Sequence, residues 1–146
     1  MMVKDEPQKQ KVLFICTENA ARSQMAEGIM RAMLGDRYEA YSAGVKPDRV
    51  SPFAIRTLAE KGIDISQHRS KSIDEFKDKT FDYVITVCDR ARETCPFFPG
   101  GKHILHAPFN DPAATHGSDE EILKAFRIIR DQITSWIRTT FEGTDS

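Results

Sequence analysis

The stretch Lys11-Val12-Leu13-Phe14-Ile15-Cys16-Thr17-Glu18-Asn19-Ala20-Ala21-Arg22-Ser23 decides the fold. Residues 11–16 are continuously apolar after the first lysine and rich in branched and aromatic side chains, the pattern of a strand buried on both faces of a parallel sheet. A helix is expected at once, over residues 23–34, with Met25, Ile29 and Met33 at helical spacing and Gly35 as its C′ residue. A buried strand running through a short loop into a helix opens an α/β unit, and such sheets bind ligands at the carboxyl ends of their strands.

The alternation continues outward from this point. Residues 38–42 read as a second strand stopped by Gly44, and Ser51-Pro52 supplies an N-cap with proline at the first helical position. The helix this opens runs to Gly62, with Ile55, Leu58 and Ala59 as its buried face. Residues 81–88 repeat the buried-strand pattern, and 103–107 form a fourth strand before Pro108. Ser118 and Glu121 make a capping-box pair, after which Ile122, Phe126, Ile129, Ile133, Ile137 and Phe141 trace one apolar stripe toward Gly143. The expected architecture is α/β, a three-layer sandwich around a four-stranded parallel sheet. A single domain over 11–141 is expected, after a flexible tail at 1–10.

Charge and composition narrow the function. The 146 residues hold 21 Lys plus Arg against 22 Asp plus Glu, a net charge of −1, without the basic stripe of a nucleic-acid-binding domain. The longest apolar runs, 12–16 and 83–88, fall far short of the roughly 18 residues a membrane span needs. The charged start lacks the apolar core of a secretory signal, so the reading is a cytoplasmic protein in which three cysteines are reactive or buried, and a monomer is expected though nothing in the sequence fixes the oligomeric state.

Cys16 stands at the end of the first strand and Arg22 at the start of the helix. Between them, Thr17, Glu18, Asn19, Ala20 and Ala21 form a loop whose backbone N–H groups, together with Arg22, suit a tetrahedral oxyanion at a helix N-terminus. Arg22 can clamp two oxygens with its planar fork. The positive potential favours the Cys16 thiolate, the nucleophilic form, and Ser23 is placed to donate a hydrogen bond to it. The Glu18 carboxylate must face solvent or repel the ligand, and Asn19 suits a left-handed turn. A plainer alternative, that Cys16 merely ends a core strand, ignores the strand-loop-helix context. Cys88 and Cys95, with six residues between them, are either redox partners or unrelated buried residues. Their spacing is wrong for zinc, and no metal or other cofactor is expected. His103, His106 and His116 carry no assignment.

Residues 12–28, from Val12 through the loop to Gly28, resemble the anion loop shared by low-molecular-weight protein tyrosine phosphatases and thioredoxin-coupled arsenate reductases. The resemblance continues through Tyr41-Ser42-Ala43-Gly44, Ile65-Ser66-Gln67-His68 and Asn110-Asp111-Pro112. It implies that Asp111 is the general acid, although by itself Asn-Asp-Pro reads as a turn. Val87-Cys88 and Cys95-Pro96 fit the redox pair of the reductases. The implied reaction is reduction of arsenate to arsenite for arsenic detoxification, with Cys16 as nucleophile, Cys88 and Cys95 completing the relay, and thioredoxin as reductant. The alternative is a phosphatase working through a Cys16 phosphocysteine. Ala113-Ala114 stands where the phosphatases carry tyrosines, which suits a small inorganic anion and leaves only weak phosphatase activity. A non-catalytic oxyanion or redox sensor would have no need of a general acid.

Some reductases of this kind bind potassium through residues matching Asn19, Glu27 and Ser42 and a nearby acidic residue. Lys71 stands in place of the last, so potassium activation is not expected. If residues 89–94 are helical in the reduced protein, Cys88 and Cys95 lie about 10.5 Å apart along the axis. A disulfide tolerates roughly 7 Å, so oxidation would have to unwind the segment.

Overall fold

The computed structural model describes residues 8–89 and 97–142. Four strands, β1 (Gln10–Cys16), β2 (Tyr38–Gly44), β3 (Phe81–Thr86) and β4 (Gly101–His106), form one sheet in the order β2-β1-β3-β4. Every neighbouring pair is parallel. Three α-helices, α1 (Arg22–Leu34), α2 (Pro52–Ala59) and α3 (Asp119–Ile137), complete the α/β architecture expected from the alternating pattern.

Side-chain alternation along β1 divides the core in two. Val12, Phe14 and Cys16 face a large cluster that takes Met25, Ile29 and Met30 from α1, Leu58 from α2 and Phe126, Ile129 and Ile133 from α3. Leu13 and Ile15 face a smaller cluster with Ala43, Phe76, Phe81, Val84 and Phe98. Among the described residues, all three α-helices therefore contribute to one face. On the other, a short 3₁₀ turn at Ile73–Phe76 and the segment around Phe98 close the sheet. Tyr41, Phe76, Phe81 and Phe98 meet edge to face in that smaller core, with ring centroids 5.6–5.9 Å apart.

Several boundaries differ from the sequence expectation for local reasons. Helix α1 begins at Arg22, with Ala21 as N-cap and no side-chain cap, because the loop itself feeds directly into the first turn. Gly35 ends it in right-handed rather than left-handed conformation, at φ −63°. In α2, Ser51 caps as expected, accepting from Phe53 and Ala54, but the buried residues are Ala54, Thr57 and Leu58 while Ala59 is exposed. Strand β4 starts at Gly101, two residues early. Strand β3 stops at Thr86, so Cys88 lies two residues past the strand rather than ending it. In α3 the capping box between Ser118 and Glu121 is made, and Leu123 rather than Ile122 is fully buried in the stripe. Phe141 sits in a π-helical turn, Arg138–Glu142, that follows α3.

Candidate oxyanion site

The loop after β1 is shaped by its carbonyls. Thr17 O accepts from Lys46 N at 2.9 Å, Ala20 O from Ser51 N at 2.9 Å, and Glu18 O from Ser70 Oγ at 2.8 Å. Asp48 N also reaches Glu18 O at 3.4 Å, and Asn19 O accepts from Gln24 Nε2 at 3.2 Å. Each carbonyl is thus turned out toward the surrounding frame. Among the described residues no peptide is cis, and a trans peptide points its N–H opposite its C=O, so the succeeding N–H groups face the inside of the loop. Asn19 makes the turn at φ 53°, the left-handed conformation asparagine tolerates, as its place in the loop suggests. Gly44 at the end of β2 permits the close approach: a Cβ there would fall 2.7 Å from Thr17 O and 2.8 Å from Asn19 N.

Cys16, buried and reduced, opens the loop. Its Sγ lies 2.8 Å from Ser23 Oγ, and Asn19 Nδ2 donates to that same oxygen at 2.8 Å. With its oxygen accepting from Asn19, Ser23 has its own proton available for the sulfur. Behind this pair lies a polar chain of which the sequence reading had only parts. Asn19 Oδ1 accepts from Gln24 Nε2 and from Lys71 N, both at 2.8 Å, which fixes the amide's orientation. Gln24 Oε1 faces His68 Nδ1 at 2.9 Å, and Arg31 Nη1 reaches His68 Nε2 at 2.8 Å. Arginine can only donate, so Nε2 carries the lone pair and Nδ1–H donates to Gln24. Burial, with help from the Arg31 and Lys71 charges, pulls the His68 imidazole below its ordinary value, although Glu27 and Asp64 oppose this. Gln24 gave no sign of this role in the sequence, where a polar residue in the first turn of a helix reads as surface. Only its full burial identifies it.

Glu27, buried on α1, accepts from Ser42 and pairs with Arg31. Lys71 Nζ lies 3.5 Å from Oε1, the oxygen that also accepts from Ser42, the Lys71 and Glu27 side chains being 13% and 7% exposed. Glu27 and Ser42 meet, and Asn19 is linked to them through Lys71, from whose main-chain N–H it accepts, but an ammonium group already faces the carboxylate, and this donor set does not fit a resident potassium ion. Among the described residues, no cluster of three or more His, Cys, Asp or Glu side chains could hold a metal.

Opposite the loop, Arg22 is 5% exposed and donates from Nη1 to Phe109 O at 3.1 Å. This holds the guanidinium at the loop's rim, with Nη2 3.8 Å from Asp111 Oδ2. Asp111 serves two arrangements at once. Its Oδ1 accepts from Ala113 N at 3.0 Å, forming the turn that Asn-Asp-Pro suggested, while Oδ2 points to Arg22. Cys16, Thr17, Glu18, Ala20, Ala21, Arg22, Ser51, Asp111 and Ala113 line a cavity of about 150 Å³. That is well below the roughly 300–1,000 Å³ of sites for drug-sized ligands. The structure therefore brings Cys16, Arg22, Ser23 and Asp111 together.

Cys88 is disulfide-bonded and fully buried, and leaves the sheet at the same edge as Cys16. Cys95 and residues 90–94, including the expected redox unwinding, lie outside the described residues.

A strand ending in a thiol, a loop of inward N–H groups and an arginine at its rim define an oxyanion-binding protein of the phosphatase type. The chain belongs to the low molecular weight phosphotyrosine protein phosphatase family, which its residues 11–142 match. Within that family it is similar to proteins named for arsenate. An arsenate reductase of Halalkalibacterium halodurans is 42% identical over 134 residues, covering 92% of this chain and 96% of that one. A solved arsenate reductase in its phosphate-binding state superposes with a TM-score of 0.78 at 30% identity, over 92% of this chain and 98% of that one. The thioredoxin-dependent arsenate reductase of Corynebacterium glutamicum gives 0.66 at 29%, over 92% of this chain and 63% of that one.

Proposed function

We propose that this chain reduces arsenate to arsenite by a three-thiol relay. The observation that carries the reading is Cys16 hydrogen-bonded to Ser23 at the floor of a small cavity rimmed by Arg22 and Asp111. Arsenate binds to the N–H groups of residues 17–22 and to the Arg22 fork. The Cys16 thiolate attacks arsenic while Asp111 gives its proton to the departing hydroxyl, which leaves as water. Cys88 as thiolate then attacks the Cys16 sulfur. The S–As bond breaks with its electron pair on arsenic, which falls from the pentavalent to the trivalent state, and a Cys16–Cys88 disulfide remains. Cys95 attacks Cys88 and releases the Cys16 thiolate. The two thiols of a thioredoxin reduce the resulting Cys88–Cys95 bond, each exchange passing from thiolate to disulfide. The placing of Cys16 at the end of β1 and of Cys88 just past the end of the neighbouring strand β3 supports this order. So do relatives named arsenate reductase that align along nearly their whole length.

The setting we assign is the cytoplasm. No helix among the described residues is long and apolar enough to cross a membrane. Lys71 makes the reaction independent of potassium, since its ammonium already opposes Glu27.

The same floor and rim can hydrolyse an aryl phosphate through a Cys16 phosphocysteine, without Cys88 or Cys95. The deciding experiment measures arsenite formation with thioredoxin, thioredoxin reductase and NADPH, and aryl-phosphate hydrolysis in parallel. Wild type, Cys88→Ser and Cys95→Ser are compared. Arsenate turnover that vanishes in both variants while hydrolysis persists is the expected result. A wild type that cleaves the aryl phosphate but leaves arsenate untouched would mean a phosphatase.

A further inference from the structure

We propose that Glu18 is a charge filter at the mouth of the oxyanion cavity, favouring singly charged tetrahedral oxyanions over doubly charged ones and so setting arsenate apart from phosphate monoesters. The inference deepens the reductase reading and rests on it for the identity of the substrate. Its starting point is an imbalance. Among the described residues lining the cavity, Arg22 is the one cation, against two carboxylates, Glu18 and Asp111. The two acids differ in how they are held. Asp111 spends one oxygen on Ala113 N and turns the other to Arg22. The Glu18 carboxylate makes no hydrogen bond or ion pair among the described residues, while its main-chain carbonyl is tied to Ser70 and Asp48 and fixes the residue at the rim. The adjoining segment brings Lys46, Asp48 and Arg49, which are exposed like Glu18 itself and equally open to screening by water, but of these four only Glu18 lines the cavity.

A ring of backbone N–H groups with an arginine rewards every added negative charge on the ligand. An unpaired carboxylate in the same loop acts in the opposite direction and penalises the second charge as much as the first. At a separation of about 7 Å and an effective dielectric constant of about 40–50, each ligand charge is disfavoured by roughly fivefold. Arsenate keeps a large singly charged, doubly protonated fraction near neutral pH, whereas a phosphate monoester, with its second ionisation near pH 6, is mostly a dianion there. The filter thus acts on the charge that separates the two substrates. Ala20 and Ala21, the neighbouring lining residues, carry no group that could do so.

Charge-fixed probes test this without titrating the protein. Sulfate carries two charges and perrhenate one, both tetrahedral, and calorimetric binding at one pH and ionic strength gives the ratio of their Kd values. In Glu18→Gln, sulfate binding should improve about fivefold more than perrhenate binding. Aryl-phosphate kcat/KM should rise severalfold relative to that for arsenate. Glu18→Asp, which keeps the charge, should keep the wild-type ratio. An unchanged ratio in Glu18→Gln, or the same shift in Glu18→Asp, would overturn the proposal. A shifted ratio in a protein that turns over no arsenate would uphold the filter and remove the reductase reading instead.

Discussion

Strands β1 and β3 end side by side at one edge of the sheet, yet the two ends are built on different terms. After Cys16 the main chain is tied at every turn: to Lys46, Asp48 and Ser51 on one side, to Ser70 on another, and to Gln24 from α1. Strand β3 itself ends at Thr86. Val87 still pairs, its N–H to Ile15 O and its carbonyl with Phe109 N, and Thr86 Oγ1 meets His106 Nδ1 at 2.7 Å. Cys88 then stands beyond the last strand residue. The thiol that holds an anion needs one fixed geometry, which the β1 end provides. In the proposed cycle the second thiol changes partner twice, and it sits where the sheet has released the chain.

Damage at the β1 end should therefore strike every reaction of the site, whereas the loss of Cys88 should strike one. The largest effect is expected for Arg22→Lys, which keeps a charge but loses the planar fork: arsenate reduction and aryl-phosphate hydrolysis should both fall by about 10²–10³-fold. Parallel steady-state assays check it, and a loss confined to one activity would break the comparison. Gln24→Leu comes next. It leaves Asn19 Oδ1, Arg69 O and His68 short of a buried partner, and should cost about 1–3 kcal/mol in denaturant unfolding. Both activities should fall together by roughly tenfold, because Ser23 loses its brace. The smallest effect is a pH dependence. The His68 imidazole is held below its ordinary value by burial, so the folded protein prefers it neutral. Its contribution to stability is complete above about pH 6.5 and is lost as the pH falls from there through the lower folded-state value. Between pH 7 and pH 5 the wild-type Tm should drop by a few degrees more than that of His68→Gln, as calorimetry would show.

What the sequence makes legible follows from the range of the interactions involved. Residues 11–23 carry strand, loop and helix in consecutive positions, so the anion loop, the left-handed Asn19 and the pairing of Ser23 with Cys16 could all be read there. Helix α3 was equally plain, since Ser118 and Glu121 cap it within one turn. The brace behind the loop could be read only in part: His68 and Lys71 stand out, but Gln24 and Arg31 look like ordinary surface residues, and the four lie up to 47 residues apart. The end of β3 was misplaced for a related reason: Val87 and Cys88 continue the apolar run, but β4 stops pairing with β3 at Thr86 and His106.

The outward-facing carbonyls of the loop carry a consequence for how such a site can evolve. If the anion is read by the main chain, the five residues between Cys16 and Arg22 contribute a shape rather than functional groups. Asn19 is held to its identity by the turn it makes, and Gly44 across the gap is held by want of space. The side chains at Glu18, Ala20 and Ala21 are then free to drift while the anion stays bound. A single such drift, placing a carboxylate at position 18, could retune selectivity without disturbing the binding that the backbone maintains.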